Sequence, residues 1–215
     1  MKKNNFKYRL FGRTKSRKKN NSIDKKTIKL QIKKIKASKY NIIDIGSGYG
    51  ESTIEFAKNY KDKNVIACDK YIDGINNIAH RSKIESLANV YIFHGNVHQF
   101  LDECCVQKSI SEIWILFPDP WPKKRHFKRR LINEDFFNKI KKFLKKDATI
   151  NIASDSKSYI SEILCNIYKI KNDFLWISQS KYEWDYSNLS LPKTKYYKKA
   201  LKNGRNPMYV KLSKL

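Results

Sequence analysis

The stretch Phe117-Pro118-Asp119-Pro120-Trp121-Pro122 is followed at 123–130 by six basic residues in eight positions. Pro118 and Pro120 fix their own φ angles and push the residues before them toward extended backbone, so the spacing predicts an Asp119 carboxylate that is rigidly held. Such a carboxylate could act as a general base, anchor a cationic ligand or orient a reacting group. A second stretch, Asp44-Ile45-Gly46-Ser47-Gly48-Tyr49-Gly50-Glu51, sets an acid before G-x-G-x-G. Glycines at that spacing, between a strand and a helix, let backbone approach a ligand closely. Asp69 follows Gly50 by nineteen residues, a distance that suits a carboxylate accepting from both hydroxyls of a ribose.

Together these residues point to a nucleoside-containing cofactor. A dinucleotide fingerprint, G-x-G-x-x-G, would need glycine at position 51, where the chain has Glu51. Carboxylates at 44 and 51 would repel a pyrophosphate, whereas a ligand with an ammonium and a sulfonium is attracted to them. S-adenosyl-L-methionine is the cofactor this pattern predicts, with Asp44, Gly46, Gly48 and Asp69 as its contacts. Asn96, in His94-Gly95-Asn96-Val97, either bonds the adenine edge or caps the helix that follows.

The elements needed to position these residues alternate along the chain. Strands are predicted at 41–45, 64–69, 90–94, 113–117, 148–153 and 174–178. Helices are predicted at 51–60, 73–87, 97–105, 134–146 and 156–168. The last-but-one helix has Asn133 to cap it, Glu134 and Asp135 in its first turn, and Phe136, Phe137, Ile140, Phe143 and Leu144 at helical spacing. Alternation of this kind predicts an α/β fold with a doubly wound parallel sheet, whose ligand lies beyond the carboxyl ends of the strands. Asp44, Asp69, Asn96 and Asp119 all fall at such ends.

Composition narrows the partners. The 215 residues include 46 basic and 20 acidic ones, for a formal charge of +26. Only eight of the basic residues are arginine, so part of the charge is lysine background, and position says more than quantity. Residues 1–36 hold 15 basic residues and one acidic, 123–130 six and none, and 193–215 eight and none; the remainder is near neutral. Two basic tails and one basic loop predict a polyanionic partner such as nucleic acid, bound with release of counterions. No apolar run is long enough to cross a bilayer and the N-terminus lacks the apolar centre of a secretory signal, so the expected location is cytoplasmic, away from membranes. Cys68, Cys104, Cys105 and Cys165 form no metal-spaced set, which predicts reduced, mostly buried thiols and no metal.

The string Phe117 to Arg130 resembles the signature of the bacterial tRNA (guanine-N7-)-methyltransferases. Asp44 to Gly50 is similar to that family's first cofactor motif, Asp69 to its ribose acid, Asn96 to an adenine-contacting position, and Ala153-Ser154-Asp155 to its substrate aspartate. Thr194-Lys195-Tyr196-Tyr197 resembles a substrate-contacting T-x-[FY]-E motif with Tyr197 in place of the glutamate, and Arg9-Leu10-Phe11-Gly12-Arg13 resembles a basic N-terminal arm. The resemblance implies a Rossmann-like class I methyltransferase fold of seven mostly parallel strands, the last antiparallel, over 37–215, preceded by an arm at 1–36 and ending in the basic segment 193–215. It implies methyl transfer from S-adenosylmethionine to N7 of a guanine in the tRNA variable loop. Asp119 would then be the catalytic residue and a further cofactor contact. Lys123, Asp155, Thr194, Lys195, Tyr196 and Tyr197 would bind the substrate, and Arg125, Lys128, Arg129 and Arg130 would contact RNA phosphates. Asp155 could instead cap its helix, and Trp121 could stack on the base or belong to the core. Two rival functions are weighed: an amino-group methyltransferase acting on adenine or glutamine, which would carry two prolines after its acid, and an RNA-binding protein without catalysis, which would not need Asp44, Asp69 and Asp119.

Overall fold

A computed structural model describes residues 22, 23 and 25–215; positions 1–21, most of the expected arm, lie outside the described residues. The elements run α1 (Lys25–Leu30), β1 (Asn41–Ile45), α2 (Glu51–Asn59), β2 (Asn64–Asp69), α3 (Ile72–Ile84), β3 (Val90–His94), α4 (Val97–Cys104) and β4 (Ile110–Leu116). They continue with α5 (Glu134–Lys141), β5 (Leu144–Ser154), α6 (Lys157–Lys169), β6 (Phe174–Trp176), α7 (Lys181–Trp184), α8 (Lys195–Lys202) and β7 (Met208–Lys214). The sheet has seven strands in the order β3-β2-β1-β4-β5-β7-β6, parallel except for β7, which runs antiparallel to β5 and β6. From β1 the chain winds outward to β3 and then returns to lay β4 against β1. The crevice at that reversal is where a doubly wound sheet binds its ligand, and the glycine-rich turn and the Asp119 turn are its two lips.

The central strands carry almost unbroken apolar runs because both sheet faces are covered. On one face α4, α5 and α6 bury Phe100, Phe136, Phe137 and Ile163 against Ile113, Ile115 and Ile150. On the other, α2, α3 and the segment around Tyr186 and Tyr197 cover Ile42, Val65, Trp114 and Tyr209. Asn133 does cap α5, its Oδ1 accepting from Phe136 N at 2.9 Å. The helix ends at Lys141, short of the expected 146, because Phe143 O accepts from the N–H groups of Ser109 and Ile110 at 2.8 and 2.9 Å. That pairing with the start of β4 draws Phe143 and Leu144 out of the helix, and both stay buried.

Two regions expected as appendages are integral to the domain. Of the residues assigned to the arm, α1 packs on α3, Ile32 N donates to Ile92 O at 2.9 Å at the open edge of β3, and Ile35 N donates to Cys104 O at the end of α4 at 2.9 Å. The C-terminal basic segment is not a tail: β7 lies inside the sheet with Tyr209, Val210 and Leu212 buried. Lys211 and Lys214 lie in the same strand and stay only partly buried. Cys68, Cys104 and Cys105 are buried as expected, while Cys165 is exposed on α6.

Candidate functional site

The first lip follows β1. Gly46 and Gly48 have φ of 75° and 55°, and a Cβ placed on either would meet nothing within 4 Å. Side chains are excluded there by backbone conformation, and the open space faces the crevice. Gly50 and Gly74 serve packing instead: a Cβ on Gly50 would lie 2.2 Å from Ile78 Cγ1, and one on Gly74 1.9 Å from Gly48 O. Asp69 closes onto the turn, Oδ2 accepting from Gly48 N at 2.8 Å and Oδ1 from Tyr71 N at 2.9 Å. Burial pushes its carboxyl upward, and those N–H groups pull it back down. Each oxygen retains a lone pair for a ribose hydroxyl. Asp44 is only 1% exposed and accepts from Ser52 Oγ and Thr53 Oγ1, both at 2.6 Å, so it fastens the start of α2 to β1. Burial raises its pKa to about 6, against the two hydroxyl bonds. The Ser47 hydroxyl is buried without a partner among the described residues. Asn96 is a cap: its Oδ1 accepts from His98 N at 2.7 Å.

The second lip follows β4. Phe117, expected extended before Pro118, has φ of +55°, and Trp121 has +43°. Left-handed backbone at an aromatic residue is costly and persists only where the surroundings over-determine it. Phe117 N donates to Ala153 O at 2.8 Å, and its ring packs on Tyr186 and Tyr197 at centroid distances of 5.5 and 6.5 Å. The corner turns the chain so that Asp119 is exposed at the crevice. Across from it, beyond β2, burial lowers the Lys70 ammonium, and the charges of Asp119 and Asp69 oppose that.

The basic run forms a short 3-10 helix, Lys124–Arg129, with Lys123, Lys124, Arg125 and Lys128 exposed. The Arg129 guanidinium lies 4.9 Å from the centre of the Trp121 ring, and His126 meets the same ring edge-on at 5.8 Å. Trp121 is therefore half-buried within the basic turn, neither core nor free. Arg130 overturns its assignment as an RNA contact. It is 2% exposed, stacks on Phe127 and Tyr159, donates to Pro120 O at 2.8 Å and to Ser158 Oγ at 3.0 Å, and pairs with Glu162. A guanidinium with those partners straps the turn to α6 and cannot reach a phosphate.

At the β5 exit, Asp155 does not cap α6, whose N-cap is Ser156; it pairs with Arg205 at 2.9 Å. Thr194 and Tyr197 lie inside the fold rather than on a substrate surface. Thr194 Oγ1 accepts from Tyr197 N at 3.2 Å to cap α8, and Tyr197, 7% exposed, packs on Tyr186 at 5.0 Å. Lys195 and Tyr196 are exposed. The Lys195 ammonium sits 5.6 Å from the centre of the Tyr49 ring, and Tyr49 and Tyr71 share a hydroxyl contact of 2.5 Å. α8 thus touches the glycine turn, the Phe117 corner and, just past its end, the β5 exit.

The crevice suits S-adenosylmethionine. Backbone without side chains lines one side, the ribose-spaced Asp69 retains acceptor capacity, and Asp44, Asp69 and Asp119 supply negative charge for a cation. Comparison with known proteins agrees. A family described as "Putative methyltransferase" matches residues 38–210. A tRNA (guanine-N(7)-)-methyltransferase of Buchnera aphidicola subsp. Schizaphis graminum is 32% identical over 174 residues, covering 81% of this chain and 72% of that protein. The chain belongs to the tRNA (guanine-N7-)-methyltransferase family. Another relative of that name, from Ruegeria sp. strain TM1040, is 29% identical, with 78% of this chain and 65% of the relative covered. The fold recurs in a 30S ribosomal methyltransferase from an uncultured bacterium, with a TM-score of 0.56, 19% identity and coverage of 83% and 90%. It recurs too in a "putative methyltransferase" from Streptococcus mutans in complex with SAH, with a TM-score of 0.53, 14% identity and coverage of 88% and 94%.

The residues expected from sequence divide into three groups. Gly46, Gly48, Asp69 and Asp119 border the crevice, and Asp44 and Asn96 brace it. Lys123, Arg125, Lys128, Lys195 and Tyr196 face outward beside it, with Arg129 and Asp155 partly exposed there against Trp121 and Arg205. Thr194, Tyr197 and Arg130 are scaffold. Sequence reasoning missed Lys70, the Tyr49–Tyr71 pair and Arg205. Arg205 left one signal, as the single arginine in a lysine-rich segment.

Proposed function

We propose that this chain transfers the methyl group of S-adenosylmethionine to N7 of a guanine in the variable loop of tRNA, in the cytoplasm. The observation that carries the reading is the Phe117 corner, which sets a lone exposed carboxylate, Asp119, at the sheet's switch point and joins it directly to an exposed basic turn. When bound, S-adenosylmethionine supplies an electrophilic methyl group on a sulfonium. Gly46 and Gly48 admit it, Asp69 takes the ribose, the Asn96 amide borders the adenine, and Asp119 faces the charged end. Guanine N7 has a lone pair and no proton, so Asp119 need not act as a strong base. Its fixed charge orients the acceptor and stabilises the positive charge that develops on the base. Lys123, Arg125, Lys128 and Arg129 bind phosphates, which position the RNA without reading its sequence. Asp155, Lys195 and Tyr196 receive the splayed base.

Incubation with unmodified tRNA and labelled S-adenosylmethionine, then mass analysis of the nucleosides, is expected to yield N7-methylguanosine; label in an N6-methyladenosine peak would sink the reading. Asp119→Ala is expected to lower turnover by about 10²–10³-fold, the scale of removing one preorganised electrostatic group, with a smaller loss of cofactor affinity. Normal turnover in that variant would remove Asp119 from the mechanism.

A further inference from the structure

Arg205 is fixed from both sides. Gly204, at φ of 63°, closes α8 by donating to Leu201 O at 2.9 Å, while Arg205 N donates to Ala200 O at 3.0 Å. This paired closure is what glycine after the last helical turn allows. Three residues on, Met208 pairs with Ser154 in the β5–β7 ladder. The guanidinium is delivered by this geometry to the β5 exit, where its Nε lies 2.9 Å from Asp155 Oδ2, with the two side chains 48% and 22% exposed. A pair that exposed adds little stability, and a lysine would serve solubility equally well, so the placement asks for another purpose.

We propose that Arg205 and Asp155 together form the edge that receives the acceptor guanine, with Arg205 as the positioning residue; this rests on the N7 reading above. The Watson–Crick edge of a splayed-out guanine presents two donors, N1–H and N2–H, beside the acceptor O6. A carboxylate accepts from both donors, and a guanidinium N–H serves O6. Arg205 holds one Asp155 oxygen and so fixes the plane of the carboxylate. With its Watson–Crick edge at the β5 exit, the base turns N7, on the far side of the purine, toward the crevice between Asp119 and the glycine turn. Adenine offers that edge one donor and one acceptor, two bonds where guanine makes three.

The test is steady-state methyl transfer to unmodified tRNA by the wild type, Arg205→Ala, Arg205→Lys, Asp155→Ala and the double variant. Arg205→Ala is expected to lose roughly 10–100-fold in kcat/KM, the scale of hydrogen bonds to charged groups, with Arg205→Lys recovering part. Thermal unfolding and S-adenosylhomocysteine binding should not change. Acting through one edge, the pair should be non-additive, the double variant falling within about threefold of Asp155→Ala. Additive losses, with a salt dependence of tRNA binding reduced by about one unit of slope, would make Arg205 a phosphate contact and overturn the proposal. Activity of Arg205→Ala within twofold of wild type would also overturn it. Should the wild type yield no N7-methylguanosine, the functional reading fails first, before any variant is compared.

Discussion

Asp44, Asp69 and Asn96, at the exits of the first three strands, are each held by hydrogen bonds from hydroxyl or backbone N–H groups of the chain, whereas beyond β4 Asp119, Lys123, Arg125 and Lys128 face solvent. The difference follows from what each half must bind. A small cofactor offers few atoms, so the half that holds it gains most when its polar groups are ordered in advance. A polyanion offers many phosphates, and free energy comes from the counterions it releases. Exposed lysines and Arg125 on a short helical turn meet that need. The Phe117 corner joins the two halves, and its strain is borne by the ring cluster of Tyr186 and Tyr197 beneath it.

Arg130 is the one part of the basic run built like the cofactor half, so changing it sharpens the comparison most. Arg130→Ala leaves the Pro120 carbonyl and the Glu162 carboxylate without their partner. Because Glu162 is partly exposed, the expected loss is about 2–4 kcal/mol, toward the lower side of values for broken buried pairs. Urea unfolding would show it as a lower midpoint. Arg125→Ala/Lys128→Ala should keep the wild-type midpoint and instead lower the salt slope of tRNA binding by roughly 1.5–2 units. A reversal of these two results would mean that the strap and the phosphate contacts have been assigned the wrong way round.

The next effect lies in the preordered half. Alanine in a helix interior ordinarily stabilises relative to glycine by up to about 1 kcal/mol. At Gly74 a Cβ would fall 1.9 Å from Gly48 O, and that neighbour is backbone in a turn already held by Asp69. Gly74→Ala is expected to destabilise by about 1–3 kcal/mol, as overpacking does. It should also weaken cofactor binding, since the Gly48 N–H that fixes Asp69 must shift. Unchanged affinity for S-adenosylhomocysteine would show that the glycine turn adapts freely and is not preorganised.

These two sites also mark what a reader of the sequence alone could see. Strand and helix alternation, the G-x-G-x-G turn and Asp69 are legible because their periodicity and spacing are local. The exit of β4 could be located from Asp119 and its prolines, but the left-handed Phe117 could not, because proline chemistry predicts the opposite and distant tyrosines decide the outcome. Arg130 looks like its neighbours in the string; only the fold of α6, some 30 residues on, separates a strap from a phosphate contact. β7 was hidden by Lys211 and Lys214, which read as part of a charged tail until pairing with both β5 and β6 places the strand inside the sheet. Gly74 carries no sequence cue, since its reason is a carbonyl 26 residues away.

Asp44 gives the smallest effect and tests whether the preordered half responds to charge. A carboxyl in an unfolded chain titrates near 3.9, and burial raises that of Asp44 to about 6. Between those values the folded state keeps a proton that the unfolded state releases, so stability from this group is greatest below about pH 4, falls as pH rises to about 6, and is level above. Asp44→Asn retains an acceptor for Ser52 and Thr53 and removes the titration, so its stability relative to wild type should rise across that window. Cofactor binding should move the other way. A cationic ligand favours ionised Asp44, so wild-type affinity for S-adenosylmethionine should rise as pH passes through about 6, by about fivefold if the interaction is worth ~1 kcal/mol. The affinity of S-adenosylhomocysteine, which lacks the sulfonium charge, should rise less, and Asp44→Asn should flatten both profiles. Equal pH profiles for the two ligands would mean that Asp44 only fastens α2 to β1, and that its charge is not felt in the crevice.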